Sequence, residues 1–257
     1  MAVSEAYVSL LVMAGTMMAM AGCRQAARHF IHRKPHTLCF FLELMGAFQI
    51  CACTHELRLL AYLPPQPHVA LALTYILTVL HGLTLPDSIN NPCSSFQLLC
   101  KSKIMMNTWL LQTSAQFTGA VLANIYIKLI WILGIIPVHL WALAENCSNP
   151  IQTTIANAFI LELLFSFLVH LTLLQFESTN HKIKVHLIAL LITALVYTGG
   201  KLTGAIFNPA LAFSLHISCF MDNFWNYMLV YWVAPCIGSV LVVIAWDDVL
   251  PLLRREA

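Results

Sequence analysis

Long apolar runs separated by short polar stretches dominate the chain. Six of them have the length and character of membrane spans: Thr37–Leu57, Val69–Leu85, Trp109–Ile136, Asn157–Phe176, Val185–Gly199 and Phe224–Trp246. A helix needs about 20 predominantly apolar residues to cross the hydrocarbon core of a bilayer. A seventh run, Ala6–Gly22, is uncharged but holds only seventeen residues. A secretory signal carries positive charge ahead of its apolar core. Here Glu5 precedes the run, and Arg24, Arg28, Arg33 and Lys34 follow it. The run is therefore expected to be a short extra span or a helix lying on the membrane, and not a cleaved signal.

One stretch breaks the pattern in a specific way. Thr203-Gly204-Ala205-Ile206-Phe207-Asn208-Pro209-Ala210 leads from a span into a polar break and then back into apolar sequence. Asn is a preferred N-cap, and Pro at the first helical position lacks only an N–H that would be orphaned anyway. A helix from Pro209 to about Ser218 would be roughly 15 Å long, half a bilayer. This predicts a re-entrant half-helix. The chain does it twice, since Asn91-Pro92-Cys93 stands in an equivalent place to Asn208-Pro209-Ala210. A glutamate within an apolar span precedes each pair, Glu43 by 48 residues and Glu162 by 46. A small-residue stretch follows each, Gly119–Leu122 after 28 residues and Gly238–Leu241 after 30. Three features in one order define an internal duplication. Each repeat has three spans, an odd number, so the second runs inverted and the half-helices meet near the midplane from opposite faces.

Composition agrees with the pattern. The chain is 60% hydrophobic and 9% charged, with mean hydropathy +0.79, far from the roughly 25% charge of soluble domains. Its net charge of +2 is scattered over span ends, which points away from nucleic acid. With the stretch before Thr37 on the cytoplasmic side, ten Lys and Arg lie inside, against Arg58, Lys128 and Lys201 outside. The positive-inside rule selects that orientation. The connection 137–155 then faces the lumen or exterior. It carries Asn146-Cys147-Ser148, which is either an N-glycosylation acceptor or an unmodified loop.

Four of the nine cysteines, Cys39, Cys51, Cys53 and Cys236, lie in spans, and none of the nine has CxxC spacing, as suits small packing hydrophobes. Cys147 and Cys219 would both face an oxidising compartment, where disulfides persist. They bridge if the connection folds over the second half-helix; otherwise Cys219 packs unoxidised at the mouth or against a neighbouring subunit. The dispersed histidines suggest satisfied polar groups rather than metal ligands. No catalytic constellation or phosphate loop is present in the sequence, so neither an enzyme nor a cofactor is expected.

Two Asn-Pro boxes, two span glutamates and the inverted order resemble the aquaporin (major intrinsic protein) family over about residues 37–246. Cys93 in place of the usual alanine of the first box, the segments Cys51–Leu57 and His81–Leu85, and Cys219 nine residues past Ala210 resemble its unorthodox, or superaquaporin, subfamily. The resemblance implies an all-α membrane protein with six transmembrane helices and two re-entrant half-helices, here with an extra N-terminal apolar helix. Its parts would be an N-terminal helix and basic linker (1–36), a first repeat (37–136), a lumenal connection (137–156), a second repeat (157–246) and a cytoplasmic tail (247–257).

Asn91 and Asn208 would cap the half-helices and offer N–H donors to a passing solute, while the paired N-termini disfavour cations. Glu43 and Glu162 would accept from the loops before the boxes, because non-helical backbone at membrane depth must be satisfied internally. The family places an arginine after the second box and, in water-selective members, a histidine twelve residues before the box asparagine. Here those positions are Leu211 and Val196. An apolar constriction suits water together with glycerol or hydrogen peroxide. The resemblance also implies a homotetramer, and Arg254-Arg255 near the C-terminus together with the family points to the endoplasmic reticulum more than the plasma membrane. A coupled secondary transporter or a non-conducting scaffold are the alternative readings.

Overall fold

The computed structural model describes residues 3–61, 68–145 and 149–249. It is a helical bundle. The helices in order are α1 (Val3–Ile31), α2 (Pro35–Leu60), α3 (His68–Thr84), α4 (Pro92–Cys100), α5 (Met106–Ile132), α6 (Pro137–Ala144), α7 (Ile155–Gln175), α8 (His181–Thr203), α9 (Pro209–His216), α10 (Phe224–Met228) and α11 (Ala234–Ile244). Helices α10 and α11 form one continuous span through a π-helical turn at Leu229–Val233, and a second such turn, Ala245–Val249, ends it. Pro235 has no N–H to give the carbonyl four residues back, which accounts for the irregular turn just before it. Six helices among the described residues are long and apolar enough to cross a membrane, α1 included; α3, at 17 residues, is the shorter apolar helix.

The expected architecture is present, with four differences of detail. Helix α1 runs nine residues beyond Gly22, so Arg24 and Arg28 lie on it and not in a basic linker. Arg24 is buried and donates to Gln49 Oε1 of α2 at 2.8 Å. The fifth span is longer than the apolar run suggests, because α8 continues through Gly199 to Thr203 before Gly204, at φ +87°, turns the chain. The second half-helix stops at His216, short of Ser218. The connection between repeats is not all loop, since α6 occupies eight of its residues. Asn146, Cys147 and residues 250–257 lie outside the described residues.

The duplicated glycines mark where each repeat crosses itself. A Cβ added to Gly119 of α5 would lie 2.3 Å from Leu44 O of α2, and one added to Gly238 of α11 would lie 2.3 Å from Leu163 O of α7. Each carbonyl belongs to the residue after the span glutamate. Without a hydrophobic drive between helices in lipid, such small-residue approaches supply the packing. Large apolar side chains on the outer surface, among them Leu11, Met18, Ile125, Leu129, Ile160 and Leu190, are exposed as membrane-facing residues would be.

Candidate functional site

The half-helices α4 and α9 have nine and eight residues, below the roughly 12–15 at which an isolated helix becomes even marginal in water. Caps and braces hold them. Asn91 Oδ1 accepts from Cys93 N at 2.9 Å, and Asn208 Oδ1 accepts from Ala210 N at 3.0 Å and Leu211 N at 3.2 Å. With the oxygens so occupied, the amide nitrogens point across the repeat boundary. Asn91 Nδ2 donates to Phe207 O at 3.1 Å, and Asn208 Nδ2 donates to Asn90 O at 2.9 Å. The two N-termini thus abut, each held by the other's loop. Each carboxamide retains a second N–H.

The residue before each box asparagine has left-handed backbone: Asn90 at φ +59° and Phe207 at φ +37°, with Ala205 at φ +48°. That region costs a residue with a side chain about 1–2 kcal/mol. The glutamates offset this strain. Glu43 accepts from Ile89 N at 2.7 Å, Asn90 N at 2.9 Å and Gln116 Nε2 at 2.8 Å. Glu162 accepts from Ile206 N at 3.1 Å, Phe207 N at 2.6 Å and Thr203 Oγ1 at 2.6 Å. Both carboxyl groups are buried, and each accepts two backbone N–H groups from the loop it faces and one side-chain donor from a helix. Tyr231 OH adds a bond to Thr203 O at 2.6 Å, fixing the end of α8 where the second loop begins.

Two histidines clasp the half-helices from the opposite repeat. His170 Nε2 of α7 lies 2.9 Å from Ser94 Oγ of α4, and His55 Nε2 of α2 lies 3.2 Å from Ser214 Oγ of α9. Sequence spacing gives no hint of either contact. Among the described residues no group of three or more His, Cys, Asp or Glu is placed to hold a metal ion.

Cys93 is fully buried and touches Cys236. Cys219 is disulfide-bonded, so of the two expectations for it, packing unoxidised does not hold; Cys147 lies outside the described residues. The side chains of Leu211 and Val196 fall in different apolar clusters. Leu211 packs against the clusters that hold Ile206, Ala210 and Trp131, and Val196 against the one that holds Phe165, Ala205 and Phe207.

A third buried carboxylate escaped the sequence reading. Glu56 accepts from Trp131 Nε1 at 2.6 Å and lies 3.5 Å from His139 Nε2, tying α2 to α5 and α6. The signal available was a second glutamate thirteen residues after Glu43 on the same apolar run. Near it, a cavity of about 140 Å³ opens between the ends of α2, α5 and α6 and the far end of α9, lined by His55, Arg58, Asn124, Lys128 and His216 among others.

A membrane bundle of two inverted repeats, each contributing a half-helix whose capped N-terminus meets the other inside, defines a class built to present backbone and amide donors at membrane depth. The sequence profile described as "Major intrinsic protein" matches residues 58–246. The chain is 39% identical to Aquaporin-11 of Homo sapiens over 96% of this chain and 92% of that protein. It is 38% identical to Aquaporin-11 of Rattus norvegicus, over 99% and 94%, and 32% identical to Aquaporin-12 of Mus musculus, over 82% and 76%. Among solved structures, the aquaglyceroporin from Plasmodium falciparum matches with a TM-score of 0.67 over 86% of this chain and all of that one; at 20% identity this speaks for the fold alone. The chain belongs to the major intrinsic protein, or aquaporin, family, whose members are membrane channels for water and small solutes.

Proposed function

We propose that the chain is a passive channel for water and small neutral solutes, including glycerol and hydrogen peroxide, with the Asn91–Asn208 pair as its central site. The observation that carries this reading is the reciprocal bonding of the two box asparagines across the repeat boundary. It fixes both carboxamides with one N–H each left for a passing oxygen. Two half-helix N-termini at one point also disfavour a cation there.

Glycerol and peroxide enter the proposal through Leu211 and Val196. The Leu211 peptide N–H is taken by Asn208, and its side chain brings neither donor nor charge. A constriction of this kind discriminates little in favour of water over other small neutral molecules. Family membership supports a homotetramer with a pore in each subunit. The endoplasmic reticulum is the proposed membrane.

The test is stopped-flow permeability of proteoliposomes to water, glycerol and hydrogen peroxide, for the wild type and for Leu211→Arg. The arginine is expected to lower glycerol and peroxide permeability relative to water in the same vesicles. An unchanged ratio would remove Leu211 from the constriction.

A further inference from the structure

Cys93 and Cys236 are 143 residues apart in sequence, and their sulfurs are 3.2 Å apart in the fold. Each follows a proline at the start of its helix, Pro92-Cys93 on α4 and Pro235-Cys236 on α11, so both backbones are stiff where they meet. Cys93 is fully buried and Cys236 partly accessible, and both are free thiols. The Cys93 peptide N–H is engaged by Asn91 Oδ1, and the Cys236 carbonyl accepts from Ser239 Oγ at 2.8 Å. A disulfide, with sulfurs about 2.05 Å apart, needs them to close by little more than 1 Å. Side-chain rotation supplies a movement of that size without breaking either backbone bond.

We propose that Cys93 and Cys236 form a reversible dithiol–disulfide pair that takes a small hydroperoxide as its oxidant and fastens the first half-helix to the last span. Cys236, the more accessible sulfur, attacks one peroxide oxygen as its thiolate. The O–O bond breaks, the sulfur becomes a sulfenic acid, and the other oxygen leaves with the thiol proton as water or alcohol. The Cys93 sulfur then displaces the sulfenic oxygen, which departs as water, and the S–S bond forms. Two electrons pass from the sulfurs to the peroxide, and a dithiol reductant returns them. The product ties α4, whose cap is Asn91, to α11.

The full chain purified in detergent is treated with hydrogen peroxide, denatured, alkylated, digested and analysed by mass spectrometry. The expected product joins the peptides carrying Cys93 and Cys236, two hydrogens lighter than their sum, and it disappears with dithiothreitol. Cys236→Ala abolishes it, and Cys100→Ser, at the far end of α4, leaves it intact. Should Cys236→Ala not fold, phenylarsine oxide on the wild type provides the second measurement: bridging of the two thiols protects both from alkylation. Full alkylation of both cysteines after peroxide, or a bond from either to Cys100 instead, overturns the proposal. The readout is the bond itself, so it stands or falls independently of which solutes the channel passes.

Discussion

Asparagine carries out two tasks at each box, and the side chain divides them between its two polar atoms. The oxygen caps its own half-helix and the nitrogen reaches the opposing loop. Glutamate has a narrower task, and its geometry defines a consequence. The Phe207 N–H and the Thr203 hydroxyl both meet Glu162 at 2.6 Å. Glu162→Gln turns one acceptor oxygen into a donor nitrogen facing a donor. Hydrogen bonds to a charged group are worth about 1.5–3 kcal/mol, and a stability loss of that order is expected. Thermal unfolding in detergent reads it, and a transition unmoved from wild type would mean that the loop does not need its carboxylate. The two braces and the two caps were legible in the sequence, because duplication exposes residues that keep their order and spacing. The clasps His170–Ser94 and His55–Ser214 were not, since they join repeats through tertiary packing that no local spacing records. Arg24 was misread as a flanking charge for a related reason: its partner, Gln49, lies on another helix.

Between elements, the helix crossings are set by backbone approach. Gly119 and Gly238 each allow a carbonyl of the facing span to come where a Cβ would sit, and backbone cannot swing aside as a flexible side chain can. Overpacking of this kind costs about 1–3 kcal/mol. Gly119→Ala and Gly238→Ala are each expected to lower the unfolding temperature, while Gly200→Ala, whose nearest neighbour would be a Val196 methyl at 3.5 Å, leaves it nearly unchanged. Equal behaviour of all three variants would contradict close crossing as the reason for the repeated glycines. The apolar pattern located every span but not its ends. Helix α8 outruns its apolar run because Lys201 and the flanking glycines look like a terminus in sequence, yet the chain stays helical until Thr203 can reach Glu162. Helix α6 was read as connection because its eight residues are too few to register as a span.

For the molecule as a whole, three ion pairs among the described residues tie one end of the bundle together. Lys101 reaches Asp247 at 3.3 Å, Lys103 reaches Glu177 at 2.8 Å, and Arg28 pairs with Asp87. These join the segments assigned to the cytoplasmic side by the positive-inside rule. The hydrogen bond from Lys103 holds the Glu177 carboxyl below its ordinary value of 4.5. Its contribution to stability is therefore complete above about that pH and is lost as pH falls through the lower folded value. Both side chains are largely exposed, so the pair is worth at most about 1 kcal/mol, less in salt. Lys103→Met is expected to leave the unfolding temperature almost unchanged at neutral pH; a large drop would mark the pair as structural.

The whole fold converges on the contact between its two half-helices, and one measurement addresses that contact directly. Asn208→Asp replaces the amide that donates to Asn90 O at 2.9 Å with a carboxylate oxygen that repels it. It also removes the carboxamide's second N–H and adds negative charge at the meeting point of the two N-termini. Water permeability by stopped-flow light scattering, on proteoliposomes loaded with equal amounts of well-folded wild-type and variant protein, is expected to fall close to that of empty vesicles for Asn208→Asp. Wild-type water flux through the folded variant would contradict the assignment of the paired boxes as the pore.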